Sequence, residues 1–181
     1  MVNISLILFA ESEAVYTDGG VLAEFSWLLV VLPFFAALLI TFFGKHLPMK
    51  GAEVALLTIG SIFIYSVLLM YLHITQGIAN EFFVNVGSIG QFDIEFGWVV
   101  DGLSIMMYFV VGTVALLVFI YATNYMQGEI RYTFFFTSLT LFAGSMLVLV
   151  SSPTLIQILI GWELVGVCSY LLIGHYWEKK D

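Results

Sequence analysis

Residues 151–181 read SSPTLIQILIGWELVGVCSYLLIGHYWEKKD, and between Pro153 and Gly174 they hold a single carboxylate, Glu163, and no basic residue. A bilayer core about 30 Å thick is crossed by roughly 20 helical residues at about 1.5 Å each, so 153–174 is long enough to span. Pro153 is expected in the first turn, where its missing N–H costs nothing. Glu163 then falls near mid-span, roughly 15 Å from either interface. An ionisable group at that depth costs about 2.5–3.5 kcal/mol on insertion scales. The surrounding Leu, Ile and Val, at about -0.3 to -0.6 kcal/mol each, outweigh it, so the helix inserts regardless.

Working outward, four more stretches have the same character: approximately 22–43, 54–73, 103–122 and 133–150. Each is apolar all round, which places it in lipid or inside a bundle. The 181 residues are 61% hydrophobic and 10% charged, with a net charge of -8, and the mean hydropathy is +1.06. So little charge cannot cover a water-facing surface of this size. The reading is an all-α integral membrane protein with five transmembrane helices over 22–181 and a leader over 1–21. No nucleic acid is expected as a partner, because phosphate binding needs clustered Lys and Arg. The single cysteine, Cys168, excludes an internal disulfide and any cysteine-rich metal or iron–sulfur site.

The charges orient the bundle. Lys45 and Lys50 follow the first span, Arg131 follows the third, and Lys179 and Lys180 close the chain, so all five basic residues fall on one side. The other side carries Glu11, Glu13 and Asp18 of the leader and Glu81, Asp93, Glu95 and Asp101 of the connector. Basic loops stay cytoplasmic, which puts the N-terminus outside and the C-terminus inside. In the outside connector, Phe82, Val84 and Val86, then Phe92, Ile94 and Phe96, alternate with other residues around Gly87-Ser88-Ile89-Gly90. Period-2 alternation about a glycine-bounded turn predicts a β-hairpin over about 81–97. A two-stranded hairpin is marginal alone, so its apolar face should rest on the helices or a neighbouring subunit.

Glu163 is the first candidate for chemistry. Removal from water favours a neutral carboxyl and a nearby cation favours the ionised one, so a carboxyl held between the two can exchange a proton as the cation approaches or withdraws. The bland alternative is a neutral Glu acting as interhelical polar glue. No Lys, Arg or His lies at mid-depth in another span, so a cationic partner must come from outside these residues. Tyr170, at i+7, is a candidate pocket hydroxyl, and Gly166, at i+3, leaves room for water or a close helix; core packing is the competing role for both. Gln157 and Ser169 are expected to bond between helices. Asp101, before Gly102-Leu103-Ser104, is either a helix N-cap or part of an outer proton pathway. His73 and His175 sit at span ends, Cys168 reads as a small filler, and Gly112, Gly144 and Gly161 read as close-packing positions. No cofactor is expected: the chain has no phosphate-binding glycine motif, metal-spaced His/Cys set or mid-span histidine pair.

VDGLSIMMYFVVG at 100–112, YATNYMQGE at 121–129 and SMLVLVSSPTLIQILIGWELVGVCSYLLIGHYW at 145–177 carry a resemblance. The chain resembles the antiporter-like L chain (chain 5) of proton-pumping NADH:quinone oxidoreductase, respiratory complex I, over roughly 22–177. The resemblance implies that Glu163 is the fifth-helix glutamate of a proton channel and that Asp101 is the family's DGLS aspartate. It also implies more than a dozen helices, a lysine on a later, broken helix as the partner of Glu163, and neighbouring membrane-arm subunits. The chain is thus read as the N-terminal part of such a subunit, in a bacterial inner membrane or, alternatively, the mitochondrial inner membrane. Two other readings stand beside it: the large subunit of a multisubunit Na⁺(K⁺)/H⁺ antiporter, and a catalytically silent membrane scaffold.

Overall fold

Around one helix, Tyr132–Ser151, the others are arranged, in a computed structural model that describes residues 17–18, 24–89 and 92–176. Most of the expected leader, the hairpin tip Gly90–Gln91, and Trp177, Lys179 and Lys180 lie outside the described residues. In chain order come β1 (Thr17–Asp18), α1 (Trp27–Phe43), α2 (Ala52–Gln76), β2 (Ile78–Ile89), β3 (Phe92–Val100), α3 (Gly102–Tyr125), α4 (Tyr132–Ser151) and α5 (Leu155–Ile173). All five helices are long and apolar enough to cross a membrane. Helix is what such sequences must adopt there, because lipid offers no partner to an unpaired N–H or C=O.

The helix ends differ from the expected spans for local reasons. α2 and α3 run several residues beyond 54–73 and 103–122, since polar end turns (Thr75-Gln76 and Thr123-Asn124) extend the backbone ladder past the apolar run. α5 begins at Leu155 rather than Pro153: Thr154 is the extended N-cap and accepts from Gln157 N–H, so Pro153 precedes the cap instead of occupying the first turn. α1 contains Pro33, buried, whose ring has no N–H to give to the carbonyl of Leu29. A Cβ on Gly144 of α4 would lie 3.0 Å from Pro33 Cβ, so the two helices meet closely at that point.

α4 packs extensively on α1 and α5, and less on α3 and α2; α2 packs on α3 and α1. In the most apolar 18-residue windows, 44% of residues are buried in α4 against 17% in α5, which makes α4 the centre and α5 the rim. Phe136, Leu147, Tyr108, Phe119, Ile59 and Ile40 fill the core between them. Among the described residues, α5 has extensive contact with one helix only, α4.

The hairpin is longer than 81–97 and turns elsewhere. β2 and β3 pair antiparallel from Asn80↔Val100 through to Ile89↔Phe92, so Gly87-Ser88-Ile89 continues the strand instead of forming a turn. The extra residue, Val86, is absorbed as a bulge between Asn85 and Gly87, which sets Gly87 opposite Ile94 and Ile89 opposite Phe92. A third strand was not expected from the sequence: Thr17–Asp18 pairs parallel with Ile78–Ala79. Phe82 stacks on Trp98 with ring centroids 4.4 Å apart.

Candidate functional site

Gln157, Gly161 and Cys168 are the buried residues of α5, and their spacing of four and seven draws one stripe along the helix. That stripe meets α4: a Cβ on Gly161 would lie 3.0 Å from the Leu149 backbone, and Cys168 Sγ is 3.8 Å from Ser145 Oγ. Glu163 follows Gly161 by two residues, about 200° round a helix of 3.6 residues per turn. It is therefore exposed, turned away from α4, together with Leu159, Ile160, Val167 and Tyr170, the last 76% exposed. Nothing lies within 4 Å of where a Gly166 Cβ would stand, so the space beside the carboxyl is open.

Glu163 and Tyr170 thus share one face, while Asp101 stands apart at the start of α3. Asp101 Oδ1 accepts the Ser104 N–H at 2.7 Å, and Ser104 Oγ accepts the Asp101 N–H at 2.8 Å, a reciprocal cap. The capping reading of Asp101 is the one the geometry carries, although its carboxyl also borders a polar cleft with Asn80 and Glu81. The two roles separate by substitution. Asp101→Ala is expected to cost about 1–2 kcal/mol of stability by losing the cap, whereas Asp101→Asn keeps an acceptor and should stay within a few tenths. Chemical denaturation measures both. Weakened proton transport in a fully stable Asn variant would give the carboxyl a second role.

The remaining candidates fall into place around these. His73 Nδ1 lies 2.7 Å from the Ile78 carbonyl, tying the end of α2 to the first residue of β2. His175 is buried against Phe135. Gly112 faces the backbone of Phe63, as a close-packing glycine should. Ser169 does not reach another helix: its hydroxyl donates to the Val165 carbonyl of its own helix at 2.8 Å. Gln157 bonds neither helix. Its side chain, 6% exposed, reaches the hairpin: Gly97 N–H donates to Gln157 Oε1 at 2.9 Å and Gln157 Nε2 donates to the Gly97 carbonyl at 2.8 Å. Thr154 Oγ1 adds a bond to the Glu95 carbonyl at 3.1 Å. Nothing in the sequence pattern singled out Gly97 as the partner. Among the described residues no group of His, Cys, Asp and Glu is placed to hold a metal ion.

Comparison with known proteins identifies the relatives of the chain. A family model described as NADH-Ubiquinone oxidoreductase (complex I), chain 5 N-terminus, matches residues 87–136. The chain is 41% identical over 165 residues to NAD(P)H-quinone oxidoreductase subunit 5, organellar chromatophore 1, of Paulinella chromatophora, covering 87% of this chain and 25% of that protein. It is 39% identical over 166 residues to NAD(P)H-quinone oxidoreductase chain 5 of a Picosynechococcus species, covering 88% and 25%. It is also 39% identical over 162 residues to F(420)H(2) dehydrogenase subunit L of Methanosarcina mazei, covering 88% and 23%. The chain spans about a quarter of the length of these curated relatives. The match of residues 87–136 to the chain 5 N-terminus and the identity of 39–41% across 87–88% of the chain lead to one conclusion: it belongs to the chain 5 family of NAD(P)H-quinone oxidoreductases and corresponds to the N-terminal region of that family.

Proposed function

We propose that the chain forms part of a proton-translocating membrane-arm subunit of an NADH:quinone oxidoreductase-type complex, with Glu163 as a carboxyl that takes up and releases protons. The observation that carries this is the position of Glu163, mid-helix on the face of α5 that no helix among the described residues packs against extensively. A carboxyl left against acyl chains is costly, and intramembrane acids face a bundle interior or a water-filled cavity and pair with a cation. Further helices of the same subunit would supply that cover, with a lysine opposite Glu163. When the positive charge is near, the ionised carboxyl is favoured; when it withdraws, a proton is taken up. Electron transfer elsewhere in the assembly would drive the lysine's displacement.

Two further features support the reading. The chain offers no pattern for a redox centre, so its share of the work is protons. Its relatives are named for different electron donors, NAD(P)H and F(420)H(2), as expected if the donor is handled by other subunits. Its partners would then be neighbouring membrane-arm subunits and the rest of the same subunit, in a bacterial inner membrane with the hairpin outside.

In the assembled complex, Glu163→Gln should lower the number of protons moved per electron pair, while Glu163→Asp retains part of it. Unchanged stoichiometry in the Gln variant would remove Glu163 from the mechanism. Copurification of membrane chains alone, without iron–sulfur subunits, would point instead to a cation/proton antiporter.

A further inference from the structure

We propose that Gln157 is a positioning residue: its side-chain amide completes the open edge of β3 and thereby lets the hairpin set the rotation of α5, and with it the place of Glu163. The inference rests on the proton-relay reading of Glu163 and adds to it the element that holds the relay in register.

Gly97 lies opposite Phe83 in the β2–β3 ladder, yet both its N–H and its C=O go to Gln157. An amide side chain has the donor and acceptor of a peptide unit, so here it stands in for one residue of an additional strand. The approach needs glycine: a Cβ at position 97 would lie 3.2 Å from Pro153 Cγ, beside the start of α5, and closer still to Phe82. Both halves of a nearly fully buried amide are used, and breaking the pair would strand two backbone groups as well.

The rest of the α5 attachment fixes its rotation less firmly. Gly161 meets the Leu149 backbone through apolar, non-directional contact, and Cys168 adds one weak thiol hydrogen bond, Sγ to Ser145 Oγ at 3.8 Å, on the same stripe. A helix seated on one narrow stripe can roll about it. Two hydrogen bonds at its outer end, with Thr154 holding the Glu95 carbonyl beside them, are directional and oppose the roll. Six residues of helix join Gln157 to Glu163, about 9 Å along the axis. A roll of more than about 20° exceeds the tolerance of a working site.

The test uses the assembled complex and two variants. In Gln157→Leu, hydrogen exchange at the Gly97 amide should rise roughly tenfold or more, equivalent to about 1.4 kcal/mol. The carboxyl band of Glu163, identified in infrared spectra by its loss in Glu163→Gln, should move in frequency, with protons per electron pair reduced. Gln157→Glu separates positioning from misfolding. A protonated Glu can both donate to the Gly97 carbonyl and accept its N–H, whereas the carboxylate cannot donate. The cavity beside it is lined by Trp27, Val30, Val31, Val84, Phe96 and Trp98, none titratable in the working range, and the nearest acid along β3 is Glu95. Compared with the parent at each pH, this variant should match the parental Glu163 band at low pH and depart from it as pH rises. An unmoved Glu163 band in Gln157→Leu, with Gly97 exchange raised, overturns the proposal. Equal behaviour of Gln157→Glu at low and high pH does so too. Failure of the relay reading shows separately, in unchanged stoichiometry of Glu163→Gln.

Discussion

Gly97→Ala is expected to unpair the hairpin in a chain whose helices still assemble. The added methyl would have to occupy the space of the Phe82 carbonyl group, with Pro153 Cγ 3.2 Å away on its other side. Neither obstacle is the free end of a flexible side chain. One is the backbone of the paired strand, and the other is a ring fixed just ahead of the α5 cap. Relief requires β3 to leave β2 or α5, and either movement also takes Gly97 out of reach of Gln157. Overpacking a tight site costs about 1–3 kcal/mol, and the loss of two buried hydrogen bonds is added here, so about 3 kcal/mol or more is expected. The readouts are protease cleavage between 78 and 100 and the near-ultraviolet circular dichroism of Trp98, which is stacked on Phe82. A variant with parental protease resistance and an unfolding free energy within about 0.5 kcal/mol of the parent would contradict the close approach described.

Gly161→Leu should detach α5 from α4. A Cβ there already meets the Leu149 Cα and N at 3.0 Å, so even Ala forces the helices apart by tenths of an ångström, and a Leu side chain cannot be placed without separating them. Small residues allow such backbones to approach in lipid, where dispersion and hydrogen bonds replace the hydrophobic drive. Because α4 is the main helix partner of α5, the cost of about 3 kcal/mol falls on one interface. Disulfide trapping between cysteines introduced on α4 and α5 measures it. Gly166→Ala is the control on the same helix: no atom lies within 4 Å of the new methyl, and replacing a mid-helix glycine gains about 0.5–1 kcal/mol. Parental trapping in Gly161→Leu would refute the packing. Destabilisation by Gly166→Ala in the full complex would show that the bare face of α5 is tightly covered there.

The five helices were legible because lipid leaves no alternative: wherever about 20 apolar residues run together, the backbone must satisfy itself. The hairpin was legible from alternation, but its bulge was not, since Gly87 looks like a turn residue until its partner strand is known. Glu163 stood out as an acid at mid-depth, yet the side it faces could not be read. A helix that is apolar all round has no polar–apolar contrast to mark its inward face. The clue lay in its small and polar residues instead, Gln157, Gly161 and Cys168 at helical spacing, which in a membrane mark contact with protein. Ser169 and Gln157 looked alike in sequence, but a hydroxyl is short enough to satisfy itself on its own helix, whereas the longer amide reaches another element. Asp101 was ambiguous because a cap and a relay both call for a carboxylate; only the reciprocal bonds with Ser104 assign the cap.

Pro33 leaves α1 with a joint. The rung between residues 29 and 33 is missing, while Pro33–Phe43 is anchored where Pro33 meets Gly144. The outer arm, Trp27–Leu32, is held by Leu29, buried in the core, with Leu32 packed beside it. Trp27, Val30 and Val31 form one wall of the cavity whose other wall is Val84, Phe96 and Trp98, with Gln157 at its edge. The outer turns of α1 are therefore joined to the rest of the helix by one backbone bond fewer than an unbroken helix has, and they depend on side-chain packing for their alignment.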